Sequence, residues 1–340
     1  MRALVVDAVG AIGVREVPYP KPGHGQVTVR VESSGLCGTD SHIYHGDFLS
    51  TYPVIPGHEF AGTVAEIGDG VSGWEVGERV AVDPSVFCHE CFFCKTDRGN
   101  HCLNWNGIGV TMPGGLAEYT SVPAANLYRL ADHLSFDEGA FVEPVSCVVF
   151  GHRRLKPQSG DKALVFGAGP IGLLHTQLLA RGGASSVTVV DLEERRLNLA
   201  RELGARYTVA AGPDQDEQLS ELAPHGFDLV IDATGVPKVV ENAFRYVMPT
   251  GKIMFFGVCP KDETIQVSPF DVYQQDLEIY GSFALRYTFY YARDLMTEGV
   301  VRVEPLISHH IGLEEAAEAI ADPGRYPDRM KIMVHPSRSR

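Results

Sequence analysis

The chain has 340 residues, long enough for two domains and too long for one comfortable core. Hydrophobic residues make up 44% and charged residues 21%, an ordinary globular composition. With 29 basic against 43 acidic residues the net charge is −14, which argues against nucleic acid or anionic membrane as a partner, because phosphate binding relies on concentrated Lys and Arg.

Met1-Arg2 leads into a short Ala-Leu-Val-Val run that meets Asp7, too brief for a secretory core. The apolar stretch from Ala163 to Leu174 is broken by Gly, Pro and Gly, so no membrane span is expected. The expected location is the cytoplasm. Seven cysteines in that compartment read as thiols or metal ligands rather than disulfides. The terminal Arg338-Ser-Arg340 reads as a frayed tail.

Residues 1–150 read as a β-rich domain. Short, often alternating runs bounded by Gly or Pro predict strands over Ala3–Val6, Gln26–Glu32, Phe60–Ile67, Arg79–Val82 and Ala117–Val122. Dense glycine and proline suit a twisted barrel with tight turns. At about Gly151 the texture changes to alternating strands and helices. Strands are predicted over Lys162–Phe166, Ser186–Val190, Tyr207–Val209, Leu229–Asp232, Gly251–Phe256 and Leu277–Gly281. Helices are predicted over Pro170–Arg181, Leu192–Leu203, Gln215–Ala223 and Lys238–Tyr246. That alternation implies a doubly wound parallel sheet over residues 151–285. Two further helices, Tyr290–Thr297 and Leu313–Ile320, and a strand, Arg329–Val334, make residues 286–340 a segment assigned back to the first domain.

Within the α/β region, Gly167-Ala-Gly169-Pro170-Ile171-Gly172 follows a strand and opens a helix, and Asp191 ends the next strand. A lone GxGxxG is weak, but this context is that of a dinucleotide site. The glycines let the backbone turn tightly and let a pyrophosphate reach the helix N-terminus, where free N–H groups favour an anion. Asp191 would accept hydrogen bonds from a ribose diol and repel a 2′-phosphate, favouring NAD over NADP. Arg195 and Arg196, on the helix that follows, are expected near the adenine or facing solvent.

Cys88, Cys91, Cys94 and Cys102 are spaced C-x2-C-x2-C-x7-C, within a lobe of about residues 84–104. Four thiolates in so short a segment can close a tetrahedron around zinc with no open position, a structural site. An iron–sulfur cluster would need different spacing and a proline after the last cysteine. His89 and His101 lie in the lobe as spectators.

A second metal site is scattered. Cys37 lies in Ser34-Gly-Leu-Cys37-Gly-Thr39-Asp-Ser-His42, and His58-Glu59 follows a Tyr-Pro-Val-Ile-Pro run. Glu143-Pro144 comes much later. Each residue has a bland reading: a small buried hydrophobe, a surface histidine, a helix-starting acid. Together they offer a thiolate, an imidazole and two carboxylates, and a catalytic zinc keeps a position open for water or substrate. Thr39 and His42 suit a proton path from substrate hydroxyl to solvent by way of a cofactor ribose.

On these motifs and their order, the chain resembles the zinc-dependent medium-chain dehydrogenase/reductase family over nearly its whole length. The resemblance implies a GroES-like barrel, a Rossmann domain inserted before a returning C-terminal segment, and an active site in the cleft between. Classical alcohol dehydrogenases of the family carry cysteine where this chain has Glu143; Glu-Pro resembles the polyol branch. There Cys37, His58 and Glu59 would be zinc ligands, with Glu143 bound directly or through water. Catalytic roles would fall to Thr39, His42, Glu59 and a substrate-orienting Arg286. Cofactor contacts would come from Gly167, Gly169, Pro170, Ile171, Gly172, Asp191, Arg196, Gly257, Ser282 and Phe283. The implied cofactors are two zinc ions per subunit and NAD, with a small polyol or alcohol as substrate in a homodimer or homotetramer. L-Threonine or another amino alcohol is the alternative substrate, and a non-catalytic NAD-binding redox sensor the alternative of another class.

Overall fold

The computed structural model describes residues 1–338, so Ser339 and Arg340 of the expected tail lie outside the described residues. The chain divides into two units. The first comprises residues 1–146, 285–297 and 303–340; the second comprises 147–284 and 298–302.

The first unit opens with an antiparallel pair, β1 (Arg2–Ala8) and β2 (Ala11–Glu16). The long β3 (Gln26–Gly35) turns through Cys37 into α1 (Gly38–His45), and β4 (Glu59–Ile67) and β5 (Arg79–Val82) follow. A loop region carries β6 (Ser85–Val86), the one-turn α2 (Phe92–Lys95) and β7 (Asn106–Gly107). Then come β8 (Tyr119–Pro123), β9 (Leu127–Arg129) and the 20-residue α3 (Phe136–Leu155), inside which the unit boundary falls.

Period-2 patterning explains the barrel sheet. Val27, Val29 and Val31 alternate along β3 and bury one face against Phe60, Val64, Val80, Val82 and Val122. Each such valine, taken fully out of water, contributes roughly 1.5–3 kcal/mol.

The second unit alternates strand and helix: β10 (Lys162–Phe166), α4 (Pro170–Arg181), β11 (Ser186–Asp191), α5 (Glu194–Glu202), β12 (Tyr207–Ala210), α6 (Gln215–Leu222), β13 (Phe227–Asp232), α7 (Pro237–Ala243), β14 (Val247–Phe255), α8 (Pro269–Gln274) and β15 (Glu278–Gly281). Its six strands are parallel in the order β12-β11-β10-β13-β14-β15, the doubly wound dinucleotide-binding arrangement. The strand order reverses between β10 and β13, which sets a ligand crevice at the carboxyl end of β10. The central strands are buried on both faces and so read as continuous apolar runs.

The chain returns to the first unit through α9 (Phe289–Thr297), β16 (Ile307–Ile311), α10 (Leu313–Ala321) and β17 (Lys331–Val334). The sheet order β16-β17-β3-β4-β5-β9 sets this last strand directly beside β3. The stripe Leu313, Ala316, Ala319 and Ile320 buries α10 against Leu4, Leu116, Ile332 and Val334. Among the described residues no helix is long and apolar enough to cross a membrane.

The segment after Cys37 is helical, so Thr39 and His42 share one helix. Glu143 sits mid-helix, with Pro144 inside α3. Burial overrides the proline there: Ala140, Phe141, Val142, Val145 and Val148 are all within 1% of complete burial.

Candidate active site and metal centres

Sheet register assembles the first site. Gly35 at the end of β3 pairs with Glu59 at the start of β4, so Cys37, just past one strand, and His58, just before the other, emerge at the same edge. Cys37 caps α1, and Asp40 at the third helical position reaches back to it: Cys37 N donates to Asp40 Oδ2 at 2.9 Å. Gly57 N donates to Asp40 Oδ1 at 3.2 Å, and His58 Nδ1 lies 3.9 Å from that oxygen. The buried Asp40 therefore ties the Cys37 and His58 loops together.

The ligand atoms of Cys37, His58 and Glu59 all lie within 4.8 Å of one another. His58 and Glu59 are buried, and Cys37 is half-buried. His58 Nδ1 is buried without a hydrogen-bond partner among the described residues. Burial alone would keep His58 neutral, but the Cys37 thiolate beside it, with Asp40 and Glu143, raises its pKa well above the ordinary histidine value. So concentrated a set of anionic donors around an imidazole calls for a cation. One thiolate, one imidazole and one carboxylate with a position left over is the donor set of an open zinc site, and the residues fit that ion.

Glu143 is buried beside this group, near enough for its charge to act on His58, but it stands outside the 4.8 Å cluster. Thr39 Oγ1 is 3.6 Å from Cys37 Sγ. His42, one turn further along α1, is exposed. Arg286 belongs to the first unit and reaches Asp97 of the cysteine lobe at 3.7 Å.

Sequence reasoning missed two residues of this site. Lys331 of β17 is buried and ion-paired with Glu59. Burial would favour its neutral amine, yet the charges of Glu59 and Cys37 raise its pKa. A lysine inside the apolar run Met330-Lys-Ile-Met-Val was the available signal. Asp40 carried a second one, an acid three residues after a would-be helix cap.

The four cysteines Cys88, Cys91, Cys94 and Cys102 also converge within 4.8 Å. Cys88 Sγ to Cys94 Sγ and Cys91 Sγ to Cys102 Sγ are each 3.9 Å, too long for disulfides. A zinc tetrahedron with sulfur bonds of about 2.3 Å has edges of roughly 3.8 Å. Backbone N–H groups pull Cys91 down to about 6, while burial and the neighbouring sulfurs push Cys94 up to about 12. Four thiolates cannot coexist there without a cation, and the closed set fits zinc.

In the second unit the glycine turn joins β10 to α4. Gly167 has φ of 96°, and a Cβ at Gly172 would overlap the Gly167 carbonyl, so both positions require glycine. At Gly169, the cap of α4, a Cβ would meet nothing within 4 Å: the backbone is open to an approaching group. Pro170 starts the helix, where its missing N–H costs nothing. Asp191 accepts from Ala168 N at 2.6 Å and from Glu193 N at 2.9 Å, which fixes its carboxylate against the turn. This cradle fits a dinucleotide: helix N–H groups for the pyrophosphate and a positioned carboxylate for a ribose. Arg196 pairs with Glu193 at 3.1 Å, and Arg195 lies 4.0 Å from it. Gly257 N donates to Asp232 O at 2.9 Å, and Ser282 N to Phe255 O at 3.3 Å; Phe283 is exposed.

Residues 23–132 match the alcohol dehydrogenase GroES-like domain and residues 170–298 the zinc-binding dehydrogenase domain. The chain belongs to the zinc-binding alcohol dehydrogenase family, and it is an oxidoreductase of the polyol dehydrogenase-like type that uses zinc and a nicotinamide cofactor. It is 35% identical to D-arabinitol dehydrogenase 1 of Uromyces fabae, over 99% of this chain and 97% of that one. It is 36% identical to D-altritol 5-dehydrogenase of Agrobacterium fabrum, over 98% of each. A zinc-binding dehydrogenase from Sinorhizobium meliloti 1021 bound to NADP superposes with a TM-score of 0.94 at 35% identity, over 98% of this chain and 99% of that one.

Proposed function

We propose that the chain oxidises a secondary hydroxyl of a polyol to a ketone, reversibly, with NAD as the hydride acceptor. The observation that carries this reading is the convergence of Cys37, His58 and Glu59 with a further buried carboxylate, Glu143, alongside. Relatives named for D-arabinitol and D-altritol support the substrate class.

Cys37, His58 and Glu59 would hold the zinc, which when bound would supply Lewis-acid polarisation of the hydroxyl. NAD supplies the redox chemistry. The protein does the rest. Asp40 keeps the Cys37 and His58 loops in register. Lys331 holds Glu59 and offsets part of the negative charge. Glu143 would add a second carboxylate to the ion, direct or through water, able to exchange with Glu59. Thr39 Oγ1 would accept the substrate hydroxyl's proton as it releases its own O–H proton, which exposed His42 would deliver to solvent. Arg286 orients the polyol. Gly167, Gly169, Pro170, Ile171 and Gly172 hold the pyrophosphate, Asp191 selects the unphosphorylated ribose of NAD over NADP, Arg196 lies beside it, and Gly257, Ser282 and Phe283 line the nicotinamide half.

The first unit is then the catalytic domain and the second the nucleotide domain. The four cysteines hold a second, structural zinc, giving two ions per chain. The protein works in the cytoplasm as a homodimer or homotetramer.

The test is NADH formation, read by absorbance, across sugar alcohols, simple primary alcohols and L-threonine. The reading predicts the highest kcat/KM with a sugar alcohol. A preference for primary alcohols or L-threonine overturns the substrate class.

A further inference from the structure

We propose that Asp137, His310 and His335 form a cation site of their own, taking one divalent ion of the zinc, cobalt or nickel class at the surface of the first unit. The three come from separate elements: Asp137 from the first turn of α3, His310 from β16, and His335 from just past β17. The parallel pairing of β16 with β17 brings the two histidines side by side, and His335 N donates to Ile311 O at 2.9 Å. Their ligand atoms lie within 4.8 Å of one another. His310 Nδ1 is 3.3 Å from Asp137 Oδ2, His335 Nε2 is 3.3 Å from Asp137 Oδ1, and the two ring nitrogens are 3.2 Å apart.

The proton inventory makes this arrangement distinctive. His335 Nδ1 lies 3.1 Å from the carbonyl oxygen of Glu32, which only accepts, so Nδ1 carries the hydrogen. The neutral ring therefore turns the lone pair of Nε2 into the cluster. That lone pair faces Asp137 Oδ1, which itself accepts from Ser33 Oγ at 2.5 Å. A single hydrogen on His310 Nδ1 cannot serve both the carboxylate and the other ring. Two acceptors thus remain aimed at each other, and a cation between them would take all three groups as ligands.

The spacing agrees. A tetrahedral ion with nitrogen and oxygen ligands at about 2.0–2.1 Å has edges of roughly 3.3–3.4 Å. The backbone carbonyl behind His335 and the hydroxyl behind Asp137 are the outer partners that fix a ligand's tautomer and orientation. Two imidazoles and a carboxylate favour zinc, cobalt or nickel over magnesium or calcium, which take oxygen ligands. His310 is 48% exposed, so water completes the coordination. Arg338 is nearby but spends one guanidinium N–H on the His310 carbonyl at 2.6 Å. A bound ion would tie the start of α3 to the last two strands and stabilise the returning segment by mass action.

The test uses the intact zinc-loaded chain, its His310→Gln and Asp137→Asn variants, Cys37→Ser, and Cys37→Ser combined with His310→Gln. Each is equilibrated with zinc at tens of micromolar, and bound metal per chain and melting temperature are measured. The proposal predicts that wild type and Cys37→Ser each bind one more ion per chain than their counterparts lacking His310, and that added zinc raises the melting temperature of wild type but not of His310→Gln or Asp137→Asn. His310 is half-exposed, so its replacement leaves the fold intact. Equal metal uptake and equal thermal response in wild type and both variants would overturn the site.

Discussion

Glu59 of β4 and Lys331 of β17 form a buried ion pair across Gly35 of the intervening β3. A Cβ at position 35 would collide with the Glu59 carboxylate and press on the Lys331 side chain, so the glycine is what lets the two meet. One of the three convergent metal-ligand candidates is thus held by a residue more than 270 positions away.

Lys331→Met leaves the Glu59 carboxylate buried without its cation. Breaking a buried pair from one side costs about 3–5 kcal/mol. The chelator-treated variant should melt lower than chelator-treated wild type. Added zinc, now the only cation available to Glu59, should raise its melting temperature by more than it raises that of wild type. An equal zinc response in both would mean that Glu59 does not meet the ion.

Asp191 holds the glycine turn through Ala168 N and Glu193 N while keeping lone pairs free for a ribose. Asp191→Asn keeps the size and removes the charge, and its amide NH2 must face one of the two backbone N–H groups that the carboxylate accepts from. A hydrogen bond to a charged group contributes about 1.5–3 kcal/mol, so KM for NAD should rise roughly 10- to 100-fold. The proposed preference for NAD over NADP should narrow as the repulsion of a 2′-phosphate disappears. Steady-state kinetics with both cofactors check this; an unchanged ratio would place the discrimination elsewhere.

In the second unit His152 Nε2 lies 3.1 Å from His175 Nδ1, and the rings stack. Burial lowers the pKa of His152 to about 4 and that of His175 well below the ordinary value of 6.5, where the His152 charge adds to the effect. The folded chain thus binds fewer protons than the unfolded chain between about pH 6.5 and pH 4, so stability is full above 6.5 and is lost as pH falls through that window. Melting temperature should drop from about pH 7.5 to about pH 5 by less in His152→Gln than in wild type, because one titrating ring is gone. Parallel curves would remove the pair from the acid response.

Much of this was legible in the sequence, for physical reasons. The α/β unit announces itself because apolar strands and amphipathic helices alternate with turn residues between them; β10 and α4 fall at Lys162–Phe166 and Pro170–Arg181 as expected. The four cysteines cluster in sequence, so they cluster in space. β9 escaped because it is only three residues long, β2 because its residues stay exposed or half-buried and show no buried face, and α1 because Gly38-Thr-Asp-Ser has weak helix propensity; the α1 helix rests on the Cys37 and Asp40 cap. Lys331 showed in the sequence only as a charge in an apolar run, and its partner Glu59 could not be read, nor could the Asp137, His310 and His335 group, because strand pairing between distant segments creates both. Arg286 was expected to orient substrate, and its ion pair with Asp97 adds a contact that spacing alone did not suggest.

Removing the thiolate at position 37 tests the central claim most directly. With the preferred sugar alcohol, Cys37→Ser should lose roughly a hundredfold or more in kcat/KM, as several kcal/mol of charge stabilisation disappears. NADH binding, read by fluorescence, should remain as in wild type, because the glycine turn and Asp191 belong to the other unit. A Cys37→Ser protein that turns over at the wild-type rate would contradict zinc-assisted catalysis at Cys37, His58 and Glu59.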